Sequence, residues 1–169
     1  MNLQEKIFRK LLENSSISKK ILLLVHPDIV FETNFSFAQL YYKELEYNMT
    51  RFDCVITHLF YSDKAYEYLK WDYGTTLLYH NFIKMLKQQS DFIEKDQNYS
   101  ISFDKFLADY LIENQGSTVY FAGGYEALCV EETKKALNTK FGWLLKETNT
   151  QIACYPELTV SSRHNPKIG

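Results

Sequence analysis

Apolar residues along this chain fall into two rhythms, short continuous runs and longer stretches with a helical repeat. The most apolar run is Ile21–Val25, and a run of that length without polar interruption marks a strand buried on both faces of a parallel sheet. His26-Pro27-Asp28 closes it, because proline cannot donate into a ladder, and a polar loop is expected through Glu32, Thr33 and Asn34. Cys54–Thr57 and Val119–Ala122 repeat the pattern, Asp91–Lys95 gives a briefer strand, and Gln151–Tyr155 gives a last one stopped at Pro156. Between these runs the period becomes helical. Leu3–Leu12 places Ile7, Leu11 and Leu12 on one face, and Phe37–Asn48 spaces Leu40, Tyr41, Glu44 and Leu45. A short helix is expected over Ala65–Trp71. Gly74 then breaks the chain before Leu77–Lys87, with Thr75 or Thr76 as its cap and Leu78, Phe82, Met85 and Leu86 inward. Ser102 caps Phe103–Glu113, whose inner face is Phe106, Leu107, Tyr110 and Leu111. After Gly124, Ala127, Leu128, Val130 and Ala136 share a helical face, and Phe141–Leu145 continues as helix or loop. The tail Ser161–Gly169 reads as polar and loose.

Strands alternating with helices at this spacing predict an α/β domain of three layers, αβα, with a mostly parallel sheet spanning residues 1–169. Such sheets bind ligands outside the carboxyl ends of their strands. His26, Asp28, His58, Lys95 and the Gly123–Cys129 turn all lie at strand ends on this reading. Composition adds limits rather than chemistry. The 169 residues carry a net charge of −2 with no basic run, which excludes an electrostatic nucleic-acid or membrane-surface binder. No stretch of about 18 apolar residues is present to span a membrane. The start, MNLQEKIFRKLLENSS, is amphipathic and mixed in charge and does not read as a signal peptide. Three widely spaced cysteines, Cys54, Cys129 and Cys154, fit a reduced, cytoplasmic protein better than a disulfide framework, and Cys54 and Cys154 are expected in buried strands. The aromatic fraction of 16% reads first as a compositional bias, and second as an aromatic-lined pocket.

The stretch with most chemistry is Ser117–Ala136. An apolar strand runs into Gly123-Gly124 and then a helix, so backbone N–H groups and a helix N-terminus converge near Cys129. A thiolate is stabilised at such a place, and the arrangement suits a nucleophilic cysteine with an amide oxyanion site. The competing reading is a small buried hydrophobe. The turn is neither GxGxxG nor GxxxxGK[ST], which makes a phosphate site weak.

Val119–Leu137, VYFAGGYEALCVEETKKAL, resembles the nucleophile segment of the isochorismatase-like cysteine hydrolases. The Gly-to-Cys spacing from Gly123 to Cys129 matches, and Val130, Thr133, Ala136 and Leu137 follow in register, while Gly124 and Glu126 stand where the family has Val and Thr. The resemblance implies a cis peptide near Gly124–Tyr125. ILLLVHPDIVF resembles the family's strand ending in D-x-Q-x-D-F. Without gaps it places His26 at the Asp that shuttles a proton beside the cysteine, Asp28 at the Gln and Phe31 at the Phe. A two-residue shift makes Asp28 the acid. CVITHLFYSD keeps Thr57 but lacks the family's metal-binding acidic residue and His, which are Leu59 and Tyr61. FIEKDQNYSISF resembles K-x-x-x-S-A-F through Lys95, Ser100 and Phe103, with one residue extra. Pro156–Ser162 resembles the D-x-T-A-S strand exit. The family continues with another helix and strand, so the chain reads as a minimal or degenerate member.

The resemblance implies a hydrolase acting on the C–N bond of a small amide, ureido or carbamoyl compound. Its expected catalytic residues are Cys129, Lys95, Asp28 and His26, and its substrate-contacting residues are Phe31, His58, Tyr99, Gly124 and Tyr125. No metal and no cofactor are expected, since no His, Cys and carboxylate set has ligand spacing. The expected partners are a small-molecule substrate and another copy of the chain. Between the two candidate acids, electrostatics favours Asp28, because Lys95 and a helix N-terminus would hold a carboxylate ionised. His26 is then a structural group. The alternative reading is an inactive member kept as a small-molecule binding or protein-interaction domain.

Overall fold

The computed structural model describes residues 2–13, 18–61, 70–95 and 101–169, with the side chains of 9–13, 101 and 102 left aside. Five strands form one sheet, β1 (Lys20–Val25), β2 (Cys54–Leu59), β3 (Phe92–Lys95), β4 (Thr118–Gly124) and β5 (Gln151–Val160). Their order is β3-β2-β1-β4-β5 and every pairing between them is parallel. The central strands are the ones with unbroken apolar runs, as burial on both faces requires. Residues Ile21 to Val25 of β1 are fully buried.

The helices are α1 (Leu3–Glu13), α2 (Phe35–Met49), α3 (Tyr73–Gln89), α4 (Ile101–Glu113) and α5 (Glu131–Glu147). Alternation along β1 sends Leu22 and Leu24 to one face of the sheet, where they pack with Phe37, Tyr41 and Leu45 of α2 and Tyr79 and Phe82 of α3. Ile21, Leu23 and Val25 go to the other face, against Phe103, Leu107 and Leu111 of α4 and Leu137 and Leu145 of α5. The protein is thus an α/β fold with helices on both faces of a parallel sheet. α1 lies outside this pair, where Ile7 packs with Ile112 and Leu144. No helix among the described residues is long and apolar enough to cross a membrane.

Several boundaries differ from the sequence reading, each for a local reason. The stretch after β1 is not a polar loop but a buried 3-10 turn, Pro27–Glu32, started by Pro27 after His26 in the left-handed region. α2 begins at Phe35 because the Asn34 side chain accepts from Phe37 N–H at 2.8 Å, and Leu40 on it is exposed. Asp72, not Thr75 or Thr76, caps α3 by accepting from Thr75 N–H at 2.7 Å, so Gly74 lies inside the first turn. α4 starts at Ile101, one residue before the expected Ser102 cap. α5 runs through Phe141–Leu145 with a kink at Phe141, which departs from helical geometry at φ −125° and ψ 16°, and Ala127 and Leu128 are exposed rather than inward. The expected helix over Ala65–Trp71 falls largely outside the described residues.

β5 runs through Pro156 to Val160. Its register jumps from Phe121 opposite Cys154 to Gly123 opposite Thr159, and an edge strand with a bulge tolerates a proline that a central strand does not. The tail is not loose: Ile168 forms an antiparallel bridge with Val160, and Ser161 N–H donates to the Lys167 carbonyl at 3.0 Å. Aromatic residues build the α2/α3 layer, where Phe31 meets the rings of Trp71, Tyr79 and Phe82 at 5.5, 4.9 and 5.3 Å.

β1 and β4 meet where Gly123 leaves no room for a side chain. Gly123 has φ +105°, and a Cβ there would lie 1.9 Å from the Val25 carbonyl oxygen. Gly123→Ala is therefore expected to destabilise the protein by about 3 kcal/mol or more. Gly142→Ala, whose Cβ would meet nothing within 4 Å, should be neutral or stabilise by up to about 1 kcal/mol. Urea unfolding of the two variants checks this contrast, and equal midpoints would contradict it.

Candidate active site

The strand order reverses between β1 and β4, and the crevice outside the carboxyl ends at such a reversal is the ligand-binding place of open α/β sheets. Two connections meet there. One leaves β1 through His26 and the Pro27–Glu32 turn, the other leaves β4 through Tyr125 and a one-turn π-helix, Glu126–Val130. Register pairs Val25 with Gly123, so His26 and Gly124 each stand one residue past a matched pair. The Gly124–Tyr125 peptide bond is cis, at the place where the resemblance puts one. A Cβ on Gly124 would lie 2.8 Å from Ile29 Cγ2 and 3.3 Å from Val160 Cβ. Those two side chains occupy the room that the family's Val would need.

Cys129 lies in the π-turn, two residues ahead of α5 rather than in its first turn. The turn is held from both sides. The Tyr125 carbonyl accepts from Leu128 N–H at 3.0 Å and Val130 N–H at 3.3 Å, and the Thr133 hydroxyl donates to the Cys129 carbonyl at 2.7 Å. Cys129 is half-buried and packs against the α4/α5 layer. Cys54 is buried, and burial followed by the nearby Asp91 charge pushes its thiol up to about 12. Cys154, expected inside a buried strand, is exposed on the β5 edge with Lys134 Nζ 3.5 Å from its sulfur. An edge strand has a partner on one side only, and apolar spelling alone does not reveal which strand that is.

The two candidate acids have different neighbours. Asp28 is fully buried and accepts from Phe60 N–H at 2.8 Å and Tyr61 N–H at 2.7 Å, with a further bond from the Tyr79 side chain. Tyr41 and Tyr79, its neighbours, belong to the α2/α3 layer. His26 instead has its ring 5.0 Å from that of His58, which stacks on Phe103 at 6.0 Å. Phe103 is part of the α4/α5 layer against which Cys129 packs. Both histidines are buried. His58 thus borders the layer against which Cys129 packs, while His26 lies between His58 and the Phe60 ring, 5.2 Å away, whose own N–H bonds Asp28.

The remaining candidates are dispersed. Lys95 is exposed at the end of β3, three strand positions and roughly 14 Å of sheet from β4. It is in register with Leu59, which faces the α2/α3 layer, whereas its neighbour Glu94 pairs with His58. Phe31 is a core residue of the α2/α3 layer. Tyr99 lies outside the described residues. Tyr125 is buried, and its hydroxyl donates to Glu32 Oε2 at 3.1 Å while the Tyr61 hydroxyl donates to Oε1 at 2.6 Å. Glu32 and Tyr61 were not legible as site residues: one closes a turn that reads as a polar loop, and the other follows a strand with no periodic signal. Among the described residues, no three His, Cys, Asp or Glu side chains are arranged to hold a metal ion. Compared with family models, curated proteins and solved structures, the chain gives no match.

Two measurements test this geometry. Burial raises the Asp28 carboxyl from 3.8 to about 7, against the lowering effect of the Phe60 and Tyr61 N–H bonds. The folded state therefore holds a proton that the unfolded state has released between these values. Stability should fall as pH rises from about 4 to about 7 and level off above, by up to about 4 kcal/mol from this group. In Asp28→Asn that slope should vanish from a plot of Tm against pH; a slope equal to that of the wild type would contradict the assignment. Limiting alkylation of the folded protein should modify Cys129 and Cys154 and leave Cys54 intact, read by peptide mass spectrometry.

Proposed function

We propose that the protein is a cysteine hydrolase of the isochorismatase-like type, acting on the C–N bond of a small amide, ureido or carbamoyl compound. The observation that carries this reading is a half-buried cysteine, Cys129, on the turn leaving β4 at the sheet's switch point, where the neighbouring strand β1 ends at His26. In the proposed reaction His26 takes the Cys129 proton and the thiolate attacks the substrate carbonyl. The amides of the Tyr125–Cys129 turn stabilise the oxyanion. His26 then returns the proton to the departing nitrogen, and water cleaves the thioester with the same imidazole as base. Asp28 acts here as the anchor of the Phe60–Tyr61 connection, and Lys95 has no step.

A second reading, a binding or interaction domain without catalysis, is favoured by one observation. The carboxylate that charge arguments select as proton shuttle is bonded through both oxygens to the backbone N–H groups of Phe60 and Tyr61.

Hydrolysis of a panel of small amides, ureas and carbamoyl compounds, followed by ammonia release, separates the two. Under the hydrolase reading Cys129→Ala abolishes turnover and His26→Asn lowers kcat by about a hundredfold or more. Asp28→Asn lowers Tm while the folded fraction keeps most of its kcat. Turnover that survives in Cys129→Ala would overturn Cys129 as the nucleophile, and a panel on which the wild type is inert would leave the binding reading.

A further inference from the structure

Glu32 takes no part in the chemistry proposed for Cys129 and His26, yet its carboxylate joins the connections that border them. It ends the Pro27–Glu32 turn after β1. Its Oε1 accepts from the hydroxyl of Tyr61, just past β2, at 2.6 Å, and its Oε2 accepts from Tyr125, just past β4, at 3.1 Å. Phenol-to-carboxylate bonds are charge-assisted and stronger than neutral ones. Burial, then the Glu32 charge, raises the Tyr125 phenol above its ordinary value, so it stays a donor. The ring of Tyr125 is only 7% exposed and belongs to the same cluster as Ile29 and Val160.

The backbone of Tyr125 carries the link onward. Its carbonyl accepts the N–H groups of Leu128 and Val130, the residues on either side of Cys129. Leu128 departs from helical geometry, with φ −118° and ψ −105°, so the helix by itself does not dictate the path of the turn. A displacement of Tyr125 therefore passes directly to the cysteine.

We infer that Glu32 is a positioning residue for Cys129: through the Tyr125 hydroxyl it fixes the turn that presents the thiol, and through Tyr61 it ties that turn to the connection after β2. This rests on the reading of Cys129 as the reactive group of the site. Glu32 touches no reacting atom and acts only through Tyr125.

The test is site-resolved alkylation by iodoacetamide across pH, on the full chain, with Cys154 on the β5 edge as internal control. Glu32→Ala and Tyr125→Phe should each slow Cys129 by about fivefold at neutral pH, the loss of one such hydrogen bond. Each should also shift the midpoint of the Cys129 pH–rate curve and leave the Cys154 rate unchanged. The double variant should be no slower than either single one, because both break the same link. Glu32→Gln, which keeps an acceptor, should recover part of the rate. Equal slowing of Cys129 and Cys154 would mean general loosening and would overturn the inference. So would a wild-type Cys129 profile in both single variants. If Glu32→Ala does not fold, Tyr125→Phe decides alone, since it removes one oxygen atom. A wild-type Cys129 inert at every pH would sink the nucleophile reading and this inference together. A reactive Cys129 indifferent to both substitutions would sink only the inference.

Discussion

The backbones of β1 and β4 meet at Gly123 more closely than any side chain would allow, and the candidate site is organised around that approach. With a Cβ 1.9 Å from the Val25 carbonyl oxygen, no other residue fits without displacing β1. The contact sits where the strand order reverses. It therefore brings the two connections that leave the sheet there, the His26 turn and the Cys129 turn, to a common edge. Gly124 extends the same constraint by one residue, with Ile29 and Val160 filling the space beside it.

Polar groups then tie these connections to one another, because the backbone N–H groups of irregular segments lack ladder partners and are satisfied by side chains. Asp28 bonds the turn after β1 to the N–H groups of Phe60 and Tyr61 after β2. Glu32 bonds the same turn to Tyr61 and Tyr125. Asp28 is the costlier of the two, since a fully buried carboxylate is disfavoured in its charged form despite two N–H donors. Both of its oxygens hold the connection after β2. Its neighbours Tyr41 and Tyr79 belong to the α2/α3 layer.

The chain itself determined the fold class. Unbroken apolar runs at Ile21–Val25, Cys54–Thr57 and Val119–Ala122, separated by helical repeats, leave few arrangements other than a parallel sheet covered on both faces. The turn at Gly123-Gly124 and the position of Cys129 just beyond it were legible for the same reason: glycine pairs and strand-to-helix changes of period are local signals. Tertiary structure alone decided what depended on partners distant in sequence. Pro156 reads as a stop, yet β5 passes through it because the strand lies at an edge with a bulge. Cys154 reads as buried and is exposed for the same reason. Where His26 and Asp28 end up depends on His26 being left-handed and on the 3-10 turn that carries Asp28, and neither leaves a hydrophobic period to read. The bonds from Glu32 to Tyr61 and Tyr125 span 29 and 93 residues. No pattern within one segment encodes them, because a hydrogen bond across elements exists only once packing has brought those elements together.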